Sequence, residues 1–214
     1  MNRDKLQIHF IIATLVVVLG IALWILWAIF GINYRLMQYA KDPNKKPAVD
    51  KVREFTAKVK TDKNADYYTE IGNAYLILKE YDKAESAYKS SIKITPGLGN
   101  FLNLGNLYVE EKNYPKAEAA YFALLTKYPT APDGYIRLHE LYLIPWPGQK
   151  YSPSSILELG LRAKGPDLDL YFTLADYYKS VNDLKNAKLY YQKALDMKPE
   201  NAVIKKELEA LKNI

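Results

Sequence analysis

The sequence predicts an all-α chain: an N-terminal transmembrane helix, then an α-solenoid of about four helix pairs and a C-terminal capping helix. Three observations predict it. Residues Ile8 to Ile32 contain no Lys, Arg, Asp, Glu or Pro; a pattern of aromatic, small and proline residues recurs at a spacing of 33; and the charge excess is confined to the region around and between the two. The length of 214 residues suits one domain with an appendage, or two small domains, and suffices for a core that needs no disulfide or metal.

The apolar stretch comes first in the chain. At about 1.5 Å per residue, its 25 residues give roughly 37 Å of helix, more than a hydrocarbon core of about 30 Å requires. Phe10 to Phe30 holds 14 Leu, Ile, Val and Phe, each contributing about −0.3 to −0.6 kcal/mol near the bilayer centre. Trp24, Trp27, Phe30 and Tyr34 cluster at one end, where aromatic rings favour the headgroup level. A buried core helix of this length would show polar periodicity, and a cleaved signal peptide would have a shorter apolar core and a small-x-small site, which Ala28-Ile29-Phe30 does not supply. Residues 8–32 therefore read as an uncleaved single-pass anchor behind a short basic tail, residues 1–7. Gly20 has no partner four residues away, so there is no GxxxG signal. Sidedness stays open. Arg35, Lys41, Lys45, Lys46 and Lys51 after the span favour a cytoplasmic solenoid, whereas a basic tail before an apolar run resembles a signal-anchor that exports the rest of the chain. The expectation leans to the extracytoplasmic side.

The basic excess comes next. The chain has 30 Lys and Arg against 24 Asp and Glu, a formal charge of +6. Residues 33–64 hold nine basic and four acidic groups, while residues 65–214 hold 19 of each. A balanced domain is poor material for a phosphate-binding surface, so nucleic acid is not an expected partner. Within residues 33–64, Pro43 and Pro47 break any continuation of the first helix, and Val49, Val52, Phe55, Ala57 and Val59 mark a short amphipathic helix over 48–60. This basic juxtamembrane linker reads either as a solvated spacer or as a contact for anionic lipid, where each cation near the surface contributes about 1 kcal/mol.

Residues 65–214 are repetitive. Gly72 and Gly105, Tyr75 and Tyr108, Ala84 and Ala117, Tyr88 and Tyr121, and Pro96 and Pro129 each stand 33 residues apart. Tyr171, Leu174, Ala175, Tyr178, Ala187, Tyr191, Ala194 and Pro199 repeat the pattern. Small residues let two antiparallel helices approach closely, tyrosines fill the space beside them, and proline stops the second helix. One such pair cannot bury its apolar face alone; stacked neighbours bury it. The pattern resembles the tetratricopeptide repeat (TPR). The repeats run over about 65–97, 98–131, 132–167 and 168–200, with a capping helix at 201–213. The third is degenerate: His139 occupies the small-residue position, and residues 144–155, with Trp146, interrupt it. A distorted pair or a wider loop is expected there, with Trp146 either plugging the loop onto the solenoid or meeting a partner.

No Gly-rich phosphate loop, HExxH, GxSxG or paired-carboxylate constellation occurs, and no cysteine is present for a thiolate or zinc site. His139 sits inside a repeat helix and reads as a packed residue. No catalytic residue, cofactor or metal site is expected, and the chain does not read as an enzyme. What the TPR resemblance implies is a concave surface for a protein or peptide, lined by positions five, nine and twelve of the first helix of each pair. Here these are Thr69, Asn73 and Leu76; Leu102, Asn106 and Val109; Ile136, Glu140 and Leu143; Phe172, Asp176 and Lys179. Some TPR proteins clamp a terminal carboxylate with two Asn, two Lys and an Arg. Asn73, Asn103 and Arg137 match, but Thr69 and Asp133 stand at the lysine positions, so most of the clamp's positive charge is missing. The expectation is a membrane-anchored scaffold, with an assembly or quality-control role in an envelope complex. Its rivals are a permanent subunit of a membrane complex and a substrate adaptor for a membrane protease or transporter.

Overall fold

The computed structural model describes residues 3–211, without the side chains of residues 3–11, 27–29 and 32. Much of the expected basic tail, the ring of Trp27 and residues 212–213 of the expected cap thus lie outside the described residues. Eleven helices and no strand are found among the described residues. They are α1 (Arg3–Tyr39), α2 (Lys46–Lys58), α3 (Ala65–Ile77), α4 (Tyr81–Ile94), α5 (Leu98–Glu110), α6 (Tyr114–Lys127), α7 (Pro132–Tyr142), α8 (Pro153–Lys164), α9 (Leu168–Ser180), α10 (Leu184–Met197) and α11 (Ala202–Ala210). Local chemistry sets the ends. The side chains of Asn64, Asn113, Ser152, Asp167, Asp183 and Asn201 accept backbone N–H groups at the helix starts just after them.

Each ordinary pair turns in the same way. Lys79, Lys112 and Asn182 take positive φ of 58°, 59° and 62° just past the first helix. The next N–H then reaches back to close it: Glu80 to Tyr75 at 2.9 Å, Asn113 to Tyr108 at 2.7 Å and Asp183 to Tyr178 at 2.8 Å. This is the Schellman closure, with Lys and Asn where glycine is commonest. α3 packs on α4, α5 on α6, α7 on α8 and α9 on α10, and each second helix packs on the next pair. α5 also meets α7, and α7 meets α9, whereas no two successive second helices pack to that extent among the described residues. The first helices thus form the inner, concave layer and the second helices the outer one.

Close approach within a pair is made at a residue without a side chain. A Cβ on Gly72 would lie 2.5 Å from the Tyr88 ring, and one on Gly105 would lie 2.1 Å from the Tyr121 ring. Tyr88, Tyr121 and Tyr191 are fully buried, the last within the pair that carries Ala175. The third pair keeps the device and reverses it. The ring comes from the first helix, Tyr135, and the glycine from the second, Gly160, whose Cβ would lie 2.8 Å from that ring. His139 is buried at the position held by Gly72, Gly105 and Ala175 in the other pairs. Its Nδ1 lies 2.9 Å from the Pro153 carbonyl, and its ring stands edge-on to Tyr177, so it joins α7 to the start of α8. Burial pulls its pKa below the ordinary histidine value against the hydrogen bond to Pro153. Trp146 packs against Tyr114 and Tyr142, and Gln149 Nε2 donates to the carbonyls of Tyr142 and Ile144, so the insertion is folded down on the solenoid.

The N-terminal junction is built as well. Leu36, near the end of α1, is buried with Ala48, Val49 and Val52 of α2 and with Ala74 and Leu78. Tyr39 donates to Glu80 Oε1 at 3.0 Å, and Arg35 and Lys83 lie 3.5 and 2.9 Å from Glu80 Oε2. Burial acts to raise the Glu80 pKa, but the hydrogen bonds from Lys83 and Tyr39 and the charges of Lys83 and Arg35 outweigh it and hold the carboxyl low. Lys51 meets Glu70 of α3 at 2.7 Å, and Phe55 packs on Tyr67. The segment read as a spacer or a lipid contact is therefore fastened to the first repeat. Five of its cations, Arg35, Lys45, Lys51, Arg53 and Lys58, stand within 4.0 Å of carboxylates.

The expected span at 8–32 lies inside α1, and every residue from 12 to 26 is exposed. Among the described residues, no helix is long and apolar enough to cross a membrane. The described residues thus show a long helix with an exposed apolar stretch; they do not by themselves show an anchor or a lipid contact.

The helix–helix contact makes a direct prediction. Gly105→Ala forces a methyl into the Tyr121 ring, so urea unfolding should show a loss of about 1–3 kcal/mol, as overpacking typically costs. Gly99→Ala, where nothing lies within 4 Å of the added Cβ, should not destabilise.

Candidate functional site

The inner layer places the residues expected there in one row. Leu76, Leu102, Val109 and Ile136 are half-buried against the main core, and Phe172 against the second core with its ring across Tyr191. Glu140 and Asp176 are exposed. Between α5 and α7 the row sinks into a cavity of about 280 Å³. Asn106, Val109 and Glu140 of the expected set line it, joined by Glu110, Arg137 and Ile144.

The position-nine residues have a second employment. Tyr88 donates to Asn73 Oδ1 at 2.8 Å and Tyr121 to Asn106 Oδ1 at 2.7 Å, and Tyr191 donates to Asp176 Oδ1. Each tyrosine crosses its helix pair, ring in the core and hydroxyl at the concave surface, and each amide or carboxylate there satisfies a phenol that would otherwise be stranded. Thr69 is also engaged internally: its Oγ1 lies 2.8 Å from Ser91 Oγ and 2.9 Å from Asn100 Oδ1, tying α3 to α4 and α5. It belongs to the packing more than to the groove.

Sequence spacing missed Glu110 and Ile144 as lining residues, and it named Arg137 only for the carboxylate clamp. Glu110 and Ile144 sit one place past position twelve, and Arg137 one place past position five. A groove face wider than one residue per turn is expected from the breadth of an apolar helix stripe, and that was the available signal. Arg137 is bound to Glu140 at 2.7 Å, so the guanidinium of the imperfect carboxylate clamp is already taken, as is Asn73 Oδ1. Among the described residues no group of three or more His, Cys, Asp or Glu could hold a metal ion.

Comparison with known proteins agrees with this geometry. The Tetratricopeptide repeat family model matches residues 65–97 and 168–201. The first and fourth helix pairs are tetratricopeptide repeats. The solved C-terminal part of a TPR repeat-containing protein from Cytophaga hutchinsonii is similar to this chain at 21% identity and TM-score 0.54, over 73% of this chain and 65% of that one. A thermophilic TPR protein from Thermus thermophilus is similar at 16% identity and TM-score 0.53, over 85% and 99%. Likenesses at this identity show the fold: a TPR-like α-solenoid. No curated protein matches the chain.

The crossing tyrosines carry a pH signature. Burial pushes the phenols of Tyr88 and Tyr121 up to about 12 from 10.0. Their stabilising contribution is complete below the unfolded value near 10 and declines as pH rises toward the folded value. Tyrosinate absorbance should therefore show an exposed class titrating first and a class that ionises near pH 12, with circular dichroism falling in that upper window. One titration with all phenols ionised near 10 and the helices intact would contradict the burial.

Proposed function

We propose that this chain is a single-pass, membrane-anchored TPR scaffold that binds a partner protein or peptide in its concave groove, as an assembly or quality-control factor of an envelope complex. It acts by holding its partner, without a reaction of its own. The observation that carries the binding reading is the cavity between α5 and α7, where half-buried apolar side chains meet Asn106 and Glu140 at the centre of the inner layer. Such a row of apolar positions at helical spacing, with amides between them, suits an extended or helical peptide.

The anchor rests on the charge-free sequence of residues 8–32, on the helical backbone of α1 through it, and on the exposure of the apolar residues 12–26. The solenoid then lies against one face of the membrane, extracytoplasmic if the basic tail acts as a signal-anchor. Lys41, Lys46, Lys60 and Lys63, exposed and outside the ion pairs of the described residues, are the groups left for anionic lipid.

Two experiments test this. Replacing Leu102, Ile136 and Phe172 together by Ala should cut crosslinking capture of the partner about tenfold or more while the helical circular dichroism persists; undiminished capture would move the site off the concave face. Deleting residues 1–32 should shift the protein from the membrane fraction to a monodisperse soluble form, since Arg35, Leu36 and Tyr39 of the junction remain. A full-length chain that stays in the soluble fraction would refute the anchor.

A further inference from the structure

The electrical neutrality of the solenoid hides a separation of charge by layer. The inner helices α3, α5, α7 and α9 hold seven carboxylates and two cations; the outer helices α4, α6, α8 and α10 hold five carboxylates and ten cations. The layers thus differ in sign while cancelling in sum.

Ion pairing sharpens the inner sign. Both inner cations are engaged, Arg137 with Glu140 at 2.7 Å and Lys179 with Glu207 of α11. Glu70 is met by Lys51. Asp66, Glu110, Asp133, Asp169 and Asp176 have no ion-pair partner among the described residues, and all five are exposed. Asp66, Asp133 and Asp169 stand in the first turns of their helices, where a negative charge also favours the helix dipole. Glu110 and Asp176 do not. Glu110 lines the cavity beside Val109 and Ile144, and Asp176 stands at the position that Asn106 holds in its own repeat. The centre of the groove is a cavity floored by Val109, Leu141 and Ile144 and edged by the Arg137–Glu140 pair, with Glu110 as the unneutralised carboxylate beside it.

We infer that the occupant of the concave groove is a basic peptide segment, with an aliphatic side chain in the α5–α7 cavity and flanking Lys or Arg against Glu110 and Asp176. This rests on the concave-groove reading and adds the chemistry of the partner. Complementary charge at a rim raises association rate and selectivity more than affinity, and it is screened by salt, which gives it a recognisable signature. An acidic segment would meet the five uncompensated carboxylates and be repelled.

The test uses the full chain in phosphatidylcholine nanodiscs, with empty nanodiscs as the blank, and fluorescence anisotropy of three labelled peptides. All have two leucines, set among lysines, serines or glutamates. The lysine peptide should bind about tenfold or more tighter than the serine peptide, and high salt should remove the difference. Glu110→Gln with Asp176→Asn should weaken the lysine peptide several-fold and cut its advantage over the serine peptide. Asn at 176 keeps an acceptor for Tyr191, as Asn73 and Asn106 do for their tyrosines. Ile144→Ala, in the cavity wall, should weaken both peptides. Equal binding of lysine and serine peptides, both lost in Ile144→Ala, would keep the groove and overturn the basic occupant. A lysine peptide indifferent to Ile144→Ala would place binding on charge outside the groove and overturn the inference. Preference for the glutamate peptide, or no binding by any of the three, also overturns the inference.

Discussion

A tyrosine ring seated against a residue with little or no side chain is the contact on which the rest of this solenoid depends. It sets how near the two helices of a pair come, and so whether their remaining apolar side chains meet. The ring lies over Gly72 and Gly105 and crosses the pair that carries Ala175, and it approaches Gly160 from the opposite helix. Because each pair buries its outer face on the next, an error in one spacing is passed to the neighbouring pairs. The third pair demonstrates that the requirement is for complementarity, not for a fixed residue at a fixed place. Tyr135 and Gly160 exchange roles, and the stack continues across the substitution of His139.

The same tyrosines connect core to surface. Their hydroxyls end on Asn73, Asn106 and Asp176, so the polar groups of the concave face are chosen partly by what lies beneath them. A groove built this way is rigid at its polar points, because each is clamped by a buried ring. It also means that a substitution at these positions spares stability only if it keeps an acceptor for the tyrosine hydroxyl beneath it.

The repeat architecture was legible because every one of its marks is a local steric demand that recurs at the same spacing. Tyr88, Gly72 and Pro96 declare themselves by their copies. What lacks a copy was harder to read. The role reversal in the third pair could not be seen, since Gly160 looks like an ordinary helical glycine until Tyr135 lies across it. Nor could the junction, where Tyr39 and Glu80 meet across 41 residues with nothing in either segment to announce the other. The basic stretch reads from its composition as a solvated spacer or a lipid contact, but composition does not reveal that Lys51 has Glu70 opposite it and Leu36 a buried seat. In the groove, strict helical spacing named Asn106, Val109 and Glu140, which line the cavity, and the clamp pattern named Arg137; the shoulders Glu110 and Ile144 emerged only once two helices stood side by side.

The division of charge between layers has a mechanical consequence. A body with balanced charge is neither drawn toward nor driven from a charged plane as a whole. With a surplus of carboxylates on the inner helices and an equal surplus of cations on the outer ones, it instead feels a torque. Beside an anionic surface that torque turns the convex side inward and the groove outward. The end of α1, fixed to the first repeat through Leu36, Tyr39 and Glu80, limits the angles through which such a turn can run. Beside such a surface, the direction in which the groove points is set by the electric moment and this fixed junction together, before any partner arrives.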